Sequence, residues 1–227
     1  MDLAFPRNAE FYRRYYTLSE LTEKEIAQWK ASLKFFLQKV TLKHNRRLIL
    51  KSPGHTCRVR TLLELFPDAR FIHIHRNPVD VFQSWRHMVR KIAPRWTFQR
   101  PDISTLHEDI IQRYRQVHQA WFSEKSLIPD GRLVEVSYES LKADPIGELG
   151  NLYRKLALPE FESCLPAMEK YLSGHSSYQT NKYTALDENT RRRLSDEWQR
   201  CFDEWGYQTR LQTHSVRASQ LEDCSRC

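Results

Sequence analysis

Residues 48–84 read LILKSPGHTCRVRTLLELFPDARFIHIHRNPVDVFQS, and the rest of the chain can be placed around them. An apolar run, Leu48-Ile49-Leu50, ends in Lys51-Ser52-Pro53-Gly54-His55. From Thr56 to Phe66, the residues Val59, Leu62, Leu63 and Phe66 recur at helical spacing, and Pro67-Asp68 stops them. A second apolar run, Phe71 to His75, ends in Arg76-Asn77-Pro78, where another helix begins. The pattern is strand, loop, helix, strand, loop, helix. A connection carrying a helix suits two parallel strands joined by a right-handed crossover. Lys51 and Arg76 then stand just past the carboxyl ends of neighbouring parallel strands, the edge at which open α/β sheets bind ligands. Two cations and two helix N-termini facing one crevice describe a site for a polyanion.

Outward from that block, Thr22 predicts a helix start, with Glu25 completing a capping box. Ile26, Trp29, Leu33, Phe36, Leu37 and Val40 give that helix one apolar stripe. Residues 1–20 mix Phe5, Phe11, Tyr12, Tyr15 and Tyr16 with arginines, a composition that packs on a domain surface or stacks bases; packing is the favoured reading. Val79, Phe82, Met88 and Val89 form the apolar side of the helix after Pro78, and the stretch from Pro94 to Pro101 reads as loop. Ile103 to Glu124 predicts a long helix with Leu106, Ile110, Tyr114, Val117 and Trp121 in register. Arg132 to Ser137 predicts a third strand. Asp144 before Pro145 caps another helix, Phe161 to Tyr171 a shorter one, and Asp187 the last, through Leu194, Trp198 and Phe202. Residues 1–207 read as one domain, and 208–227 as a mobile polar tail.

A net charge of +8 over 227 residues favours anionic partners, or is simply a basic surface. Five cysteines at 57, 164, 201, 224 and 227 have no paired metal spacing, and with no signal-peptide pattern they point to free thiols in a reducing, cytoplasmic setting. No apolar run is long enough to span a membrane. Nucleic-acid binding rests only on charge and the aromatic-basic start, so it is not the expected role.

Tyr138 follows the third strand directly, so Lys51, Arg76 and Tyr138 all emerge at one sheet edge. Ser84 lies eight residues beyond Arg76, about two turns into the next helix. Arginine supplies a planar fork for phosphate oxygens and serine a neutral donor, while lysine is a mobile point charge suited to charge that moves during a reaction. Tyr138 offers a ring face or a hydroxyl to a base. His55 reads either as the base that deprotonates an acceptor or as a helix-start residue. His73 and His75 share one strand face, but with no carboxylate or third ligand nearby in sequence no metal site is expected. Glu135 and Glu139 read as structural or solvated.

The segment LKSPGHTCRVRTLLELFPDARFIHIHRNPVDVFQS at 50–84 resembles the sulfotransferases that use 3′-phosphoadenosine 5′-phosphosulfate (PAPS), a broad family that includes tyrosylprotein and bacterial sulfotransferases. LVEVSYESLKADPIGELGNLYRKLALP at 133–159 and YQTNKYTALDENTRRRLSDEWQRCFDEWGY at 178–207 resemble its continuation. The resemblance implies a P-loop-NTPase-like, three-layer α/β fold with a parallel sheet. It implies transfer of a sulfuryl group from PAPS to a hydroxyl or amine, with no metal. In it Arg76 and Ser84 bind the 3′-phosphate, Lys51 stabilises the leaving phosphate, Tyr138 contacts the adenine region, and Asn181 or Lys182 belongs to a loop that closes over the nucleotide. The family's earlier strand–loop–helix, of the kind P-R-S-G-[ST]-T, has no counterpart here, since Pro6-Arg7-Asn8-Ala9 lacks glycine and a preceding strand. The reading is therefore of an N-terminally truncated fold: a sulfotransferase acting on a PAPS donor and an unidentified acceptor, or else a non-catalytic nucleotide- or anion-binding remnant.

Overall fold

The computed structural model describes residues 4–99, 103–175, 179–181 and 183–208. The expected mobile tail therefore lies, from residue 209 on, outside the described residues, as do Cys224 and Cys227. A short 3₁₀ turn at Pro6–Asn8 leads into α1 (Ala9–Thr17), and α2 follows over Glu23–His44. The capping box forms as expected: the Thr22 side chain accepts from the Glu25 N–H and the Glu25 carboxylate accepts from the Thr22 N–H. After a 3₁₀ turn at Pro53–Cys57 come α3 (Val59–Leu65), β1 (Phe71–His75), α4 (Pro78–Trp96) and α5 (Leu106–Glu124). Then follow β2 (Leu133–Ser137), α6 (Tyr138–Ala143), α7 (Pro145–Lys155), α8 (Phe161–Gly174), α9 (Glu188–Glu197) and α10 (Gln199–Trp205). Asp144 and Asp187 cap α7 and α9, each accepting from the N–H three residues on.

The protein is α/β, mostly helical around a small parallel sheet. β1 pairs with β2 from Phe71↔Leu133 to His75↔Ser137. Pleating sends His73 and Glu135 to one face and Ile72 and Val134 to the other. The first face meets α5 and α10: the His73 ring stacks on Trp121 at 4.2 Å and lies 5.4 Å from Trp205. On the second, Val134 packs with Leu152 and Leu156 of α7 and its C-terminal end. The layers are thus helix, sheet, helix. α5, with its many polar residues, is the centre of the core. It buries Leu106, Ile110, Ile111, Tyr114, Trp121 and Phe122 against Phe82, Leu194, Trp198 and Phe202. The Trp198 indole N–H, inside this core, donates to the Ile111 carbonyl at 3.2 Å. α1 packs on α5, where Arg13 meets Asp109 at 2.5 Å, so the aromatic-basic start is a packing element.

Four expectations are corrected. Leu48-Ile49-Leu50 is not a strand: these residues have no regular structure, and Ile49 is 86% exposed. A strand exists only where a neighbour takes its N–H and C=O groups, and β1 pairs with β2 instead. The apolar stripe of α2 is mostly not buried; of its residues only Leu37 is, and Phe36 is exposed. The helix expected from Thr56 is split, because Arg58 at φ −140° breaks the 3₁₀ turn from α3. Finally, α4 runs on through Pro94 to Trp96, since a proline near a helix end forfeits only one i→i−4 bond.

Candidate functional site

The last paired residues of the two strands are His75 and Ser137, so Arg76 and Tyr138 leave the sheet side by side. Parallel pairing forces this juxtaposition across 62 positions of sequence. The Arg76 guanidinium carbon sits 4.7 Å from the centroid of the Tyr138 ring, a cation–π contact that orients the fork. One Nη donates to Asp80 at 3.4 Å. The Nε–H is buried and has no hydrogen-bond partner among the described residues. One N–H of the Arg76 guanidinium thus has no partner among the described residues, and the side chain is about one-quarter exposed.

Beyond Arg76 the chain turns into α4. The Asn77 side chain accepts from the Val79 N–H at 2.9 Å and the Asn77 carbonyl accepts from the Val81 N–H at 3.1 Å. Asn77 is therefore the N-cap and Pro78 the first helical residue. Ser84, half-buried, stands one turn past Asp80 on the same side of α4. The tyrosine reading is refined: the Tyr138 ring face is occupied by Arg76.

The late loop crosses this edge. The Lys142 ammonium of α6 donates to the Thr180 hydroxyl at 3.4 Å. From α4, the buried Gln83 amide donates to the Thr184 carbonyl at 2.8 Å, and the His87 ring meets Tyr183 at 5.7 Å. Gln83 and His87 flank Ser84 in sequence. Lys182 itself lies outside the described residues, but the residues on both sides of it are tied to the elements that carry Ser84 and Tyr138.

Lys51 and His55 are not brought into this cluster. Lys51 is exposed on the irregular segment before Pro53, and not at a strand end; that expectation falls with the strand at Leu48–Leu50. The loop after it is held against the end of α1. Arg58 Nε donates to the Tyr16 carbonyl at 2.8 Å, and a Cβ on Gly54 would lie 3.2 Å from the Arg58 guanidinium. Cys57, whose thiol burial pushes up to about 11, donates to the same carbonyl at 3.0 Å. His55 lies in the 3₁₀ turn, half-buried, with Nδ1 buried and unpartnered among the described residues. Burial first, and then the Arg58 charge, lower its pKa, which keeps the imidazole neutral and able to accept a proton.

Behind Arg76 lies a polar cluster with no signal in the sequence. Glu135 accepts from Lys125 at 3.3 Å and from the Trp205 indole at 3.3 Å, and meets His73 Nδ1 at 3.2 Å. Burial would raise its pKa, but these partners bring it to about 2. A carboxylate therefore does reach His73, though none stands near it in sequence; it serves the fold. Among the described residues no group of three or more His, Cys, Asp or Glu could hold a metal ion. Further out, the Tyr207 hydroxyl donates to Glu139 at 2.8 Å and lies 3.0 Å from His75 Nδ1. Among the described residues no helix is long and apolar enough to cross a membrane.

Comparisons with known proteins concern the family and the fold. A sequence model described as the sulfotransferase family matches residues 3–163. Omega-hydroxy-beta-dihydromenaquinone-9 sulfotransferase Stf3 of Mycobacterium bovis and its counterpart in Mycobacterium tuberculosis are each 33% identical over 207 residues, 91% of this chain and 53% of the relative. The chain thus spans about half the length of the curated relatives it matches. The crystal structure of sulfotransferase STF9 from Mycobacterium avium superposes with a TM-score of 0.70 at 20% identity, over 86% of this chain and 49% of that one. At that identity the likeness is one of fold.

Proposed function

The chain belongs to the sulfotransferase family, and from that premise we propose that it takes part in sulfuryl transfer from PAPS to a hydroxyl or amine acceptor. The observation that carries the reading is the Arg76–Tyr138 stack at the carboxyl ends of two parallel strands, with a buried Nε–H on the arginine that has no partner among the described residues. In this proposal Arg76 and Ser84 hold the donor's 3′-phosphate, and Tyr138 borders the adenine while it orients Arg76. Lys182 belongs to the loop that crosses the nucleotide. The acceptor oxygen or nitrogen attacks sulfur in line, forming one S–O or S–N bond as the bond to the leaving phosphate oxygen breaks. Lys51 offsets charge on that oxygen, and His55, in its neutral form, takes the acceptor's proton. No metal takes part. The relatives named for a hydroxylated menaquinone make hydroxyl acceptors the first class to try.

A second reading, a non-catalytic nucleotide- or anion-binding protein, is favoured by the exposure of Lys51 on an irregular segment that is not a strand end. Transfer of radiolabelled sulfate from PAPS to a panel of alcohols and amines separates the two. Labelled product supports the enzyme. Tight binding of adenosine 3′,5′-bisphosphate with no product supports the second reading, and the absence of both defeats each.

A further inference from the structure

The turn that carries Arg76 is held by Glu139 of α6 and by Tyr207, near the far end of the described chain. Glu139, in the first turn of α6, accepts from the Asn77 backbone N–H at 3.5 Å through one carboxylate oxygen. Its other oxygen accepts from the Tyr207 hydroxyl at 2.8 Å. That single hydroxyl proton is committed to Glu139, so the Tyr207 oxygen is left to accept from Nδ1–H of His75, 3.0 Å away. The His75 ring is clamped in turn, lying 5.0 Å from the Trp205 ring with the planes 6° apart. Burial, and then the Glu139 carboxylate, raise the Tyr207 phenol pKa, so it remains a donor at neutral pH. His75 and Asn77 are the residues on either side of Arg76. Each is therefore fixed through Tyr207, directly for His75 and by way of Glu139 for Asn77.

We propose that Tyr207 and Glu139 are positioning residues for donor recognition: they set the backbone turn at residues 75–77 so that Arg76 meets the nucleotide's 3′-phosphate. The inference rests on the reading of Arg76 as the 3′-phosphate ligand. It makes the close of the helical domain, 132 residues along the chain from His75, part of the donor site. Tyr207 also packs on the main core, so a purely structural role must be told apart from positioning. The distinguishing quantity is selectivity for the 3′-phosphate. A residue that only supports the fold lowers affinity for any adenosine nucleotide; a residue that aims Arg76 lowers only the preference for the one carrying a 3′-phosphate.

The test is calorimetric titration of the 227-residue chain with adenosine 3′,5′-bisphosphate and with adenosine 5′-monophosphate, for wild type, Tyr207→Phe, Glu139→Ala and Glu139→Gln. Tyr207→Phe keeps the ring and removes the hydroxyl. It should lower the bisphosphate-to-monophosphate affinity ratio about fivefold, the share of one hydrogen bond, with monophosphate binding unchanged. Glu139→Ala should lower the ratio at least as far. Glu139→Gln keeps an acceptor for the Asn77 N–H and should restore most of it. An unchanged ratio in both Tyr207→Phe and Glu139→Ala, or equal losses for both nucleotides, overturns the proposal while leaving Arg76 as the ligand. A wild-type chain with no preference between the nucleotides defeats the Arg76 reading, and the positioning role falls with it.

Discussion

Arg76→Ala is the substitution whose outcome follows most directly from the geometry. Arg76 has two attachments, the Tyr138 ring at 4.7 Å and the Asp80 carboxylate at 3.4 Å, and an Nε–H with no partner among the described residues. A phosphate accepting from Nε and one Nη forms a two-pronged, charge-assisted contact worth about 1.5–3 kcal/mol. Against this stands the Asp80 pair, which the phosphate displaces. With Arg76 about one-quarter and Asp80 nearly half exposed, that pair is worth only about 0–1 kcal/mol. The net is about 2 kcal/mol, or roughly thirtyfold in affinity for adenosine 3′,5′-bisphosphate. The same account fixes two further signs. Asp80→Asn frees the guanidinium and removes a negative charge beside the phosphate, so binding should tighten, by up to about fivefold. Arg76→Lys keeps the charge but loses the fork and the ring stacking, and should fall between wild type and Arg76→Ala. Isothermal calorimetry at one fixed salt concentration measures all four proteins, and circular dichroism confirms that each is folded. Unchanged affinity in Arg76→Ala, or weaker binding in Asp80→Asn, would refute the reasoning.

Lys51→Ala separates recognition from chemistry: bisphosphate affinity should stay within about twofold, while sulfate turnover falls by at least about tenfold, since the lysine acts on charge that develops late. Equal losses in both quantities would make Lys51 a binding residue. The aromatic–polar cluster behind β1 makes stability fall with acid in two stages. Burial holds His118, a residue of α5 whose ring lies 6.4 Å from that of His73, down at about 4 against the usual 6.5, so the unfolded chain takes up that proton first and stability drops as pH falls from about 6.5 to about 4. Glu135, at about 2 against 4.5, contributes stability above about pH 4.5 that is lost as pH falls towards about 2. Urea midpoints should therefore step down from about pH 7 to 5 to 3, and His118→Phe should flatten the first step; parallel profiles for wild type and variant would exclude His118 as its source.

What could be read without the structure follows the range of the interactions involved. The caps at Thr22, Asp144 and Asp187 are completed within three residues, and all three form as expected. β1 and β2 are apolar runs between turn signals, and each finds its partner in the other. Leu48-Ile49-Leu50 has the same composition, yet pairing decides whether an apolar run becomes a strand, and composition does not encode the partner. The same holds for α2: its spacing specifies a stripe, but burial needs a surface to meet it, and Phe36 is left 59% exposed. The site divides along the same line. Arg76 and Asp80 are four residues apart, and the ion pair between them is a local contact that sequence spacing alone can carry. Tyr138 followed from the inference of parallel strand ends. Glu139 and Tyr207, 68 residues apart, carried no signal, because a hydroxyl–carboxylate contact has no periodicity and depends on α10 returning past the sheet edge. This arrangement has a consequence for donor binding. The proposed 3′-phosphate ligands, Arg76 and Ser84, lie at the end of β1 and on α4, whereas the contacts proposed to aim Arg76 are long-range. The precision of the Arg76 fork should therefore be lost before the fold is lost, when α10 and Tyr207 loosen from the strand ends.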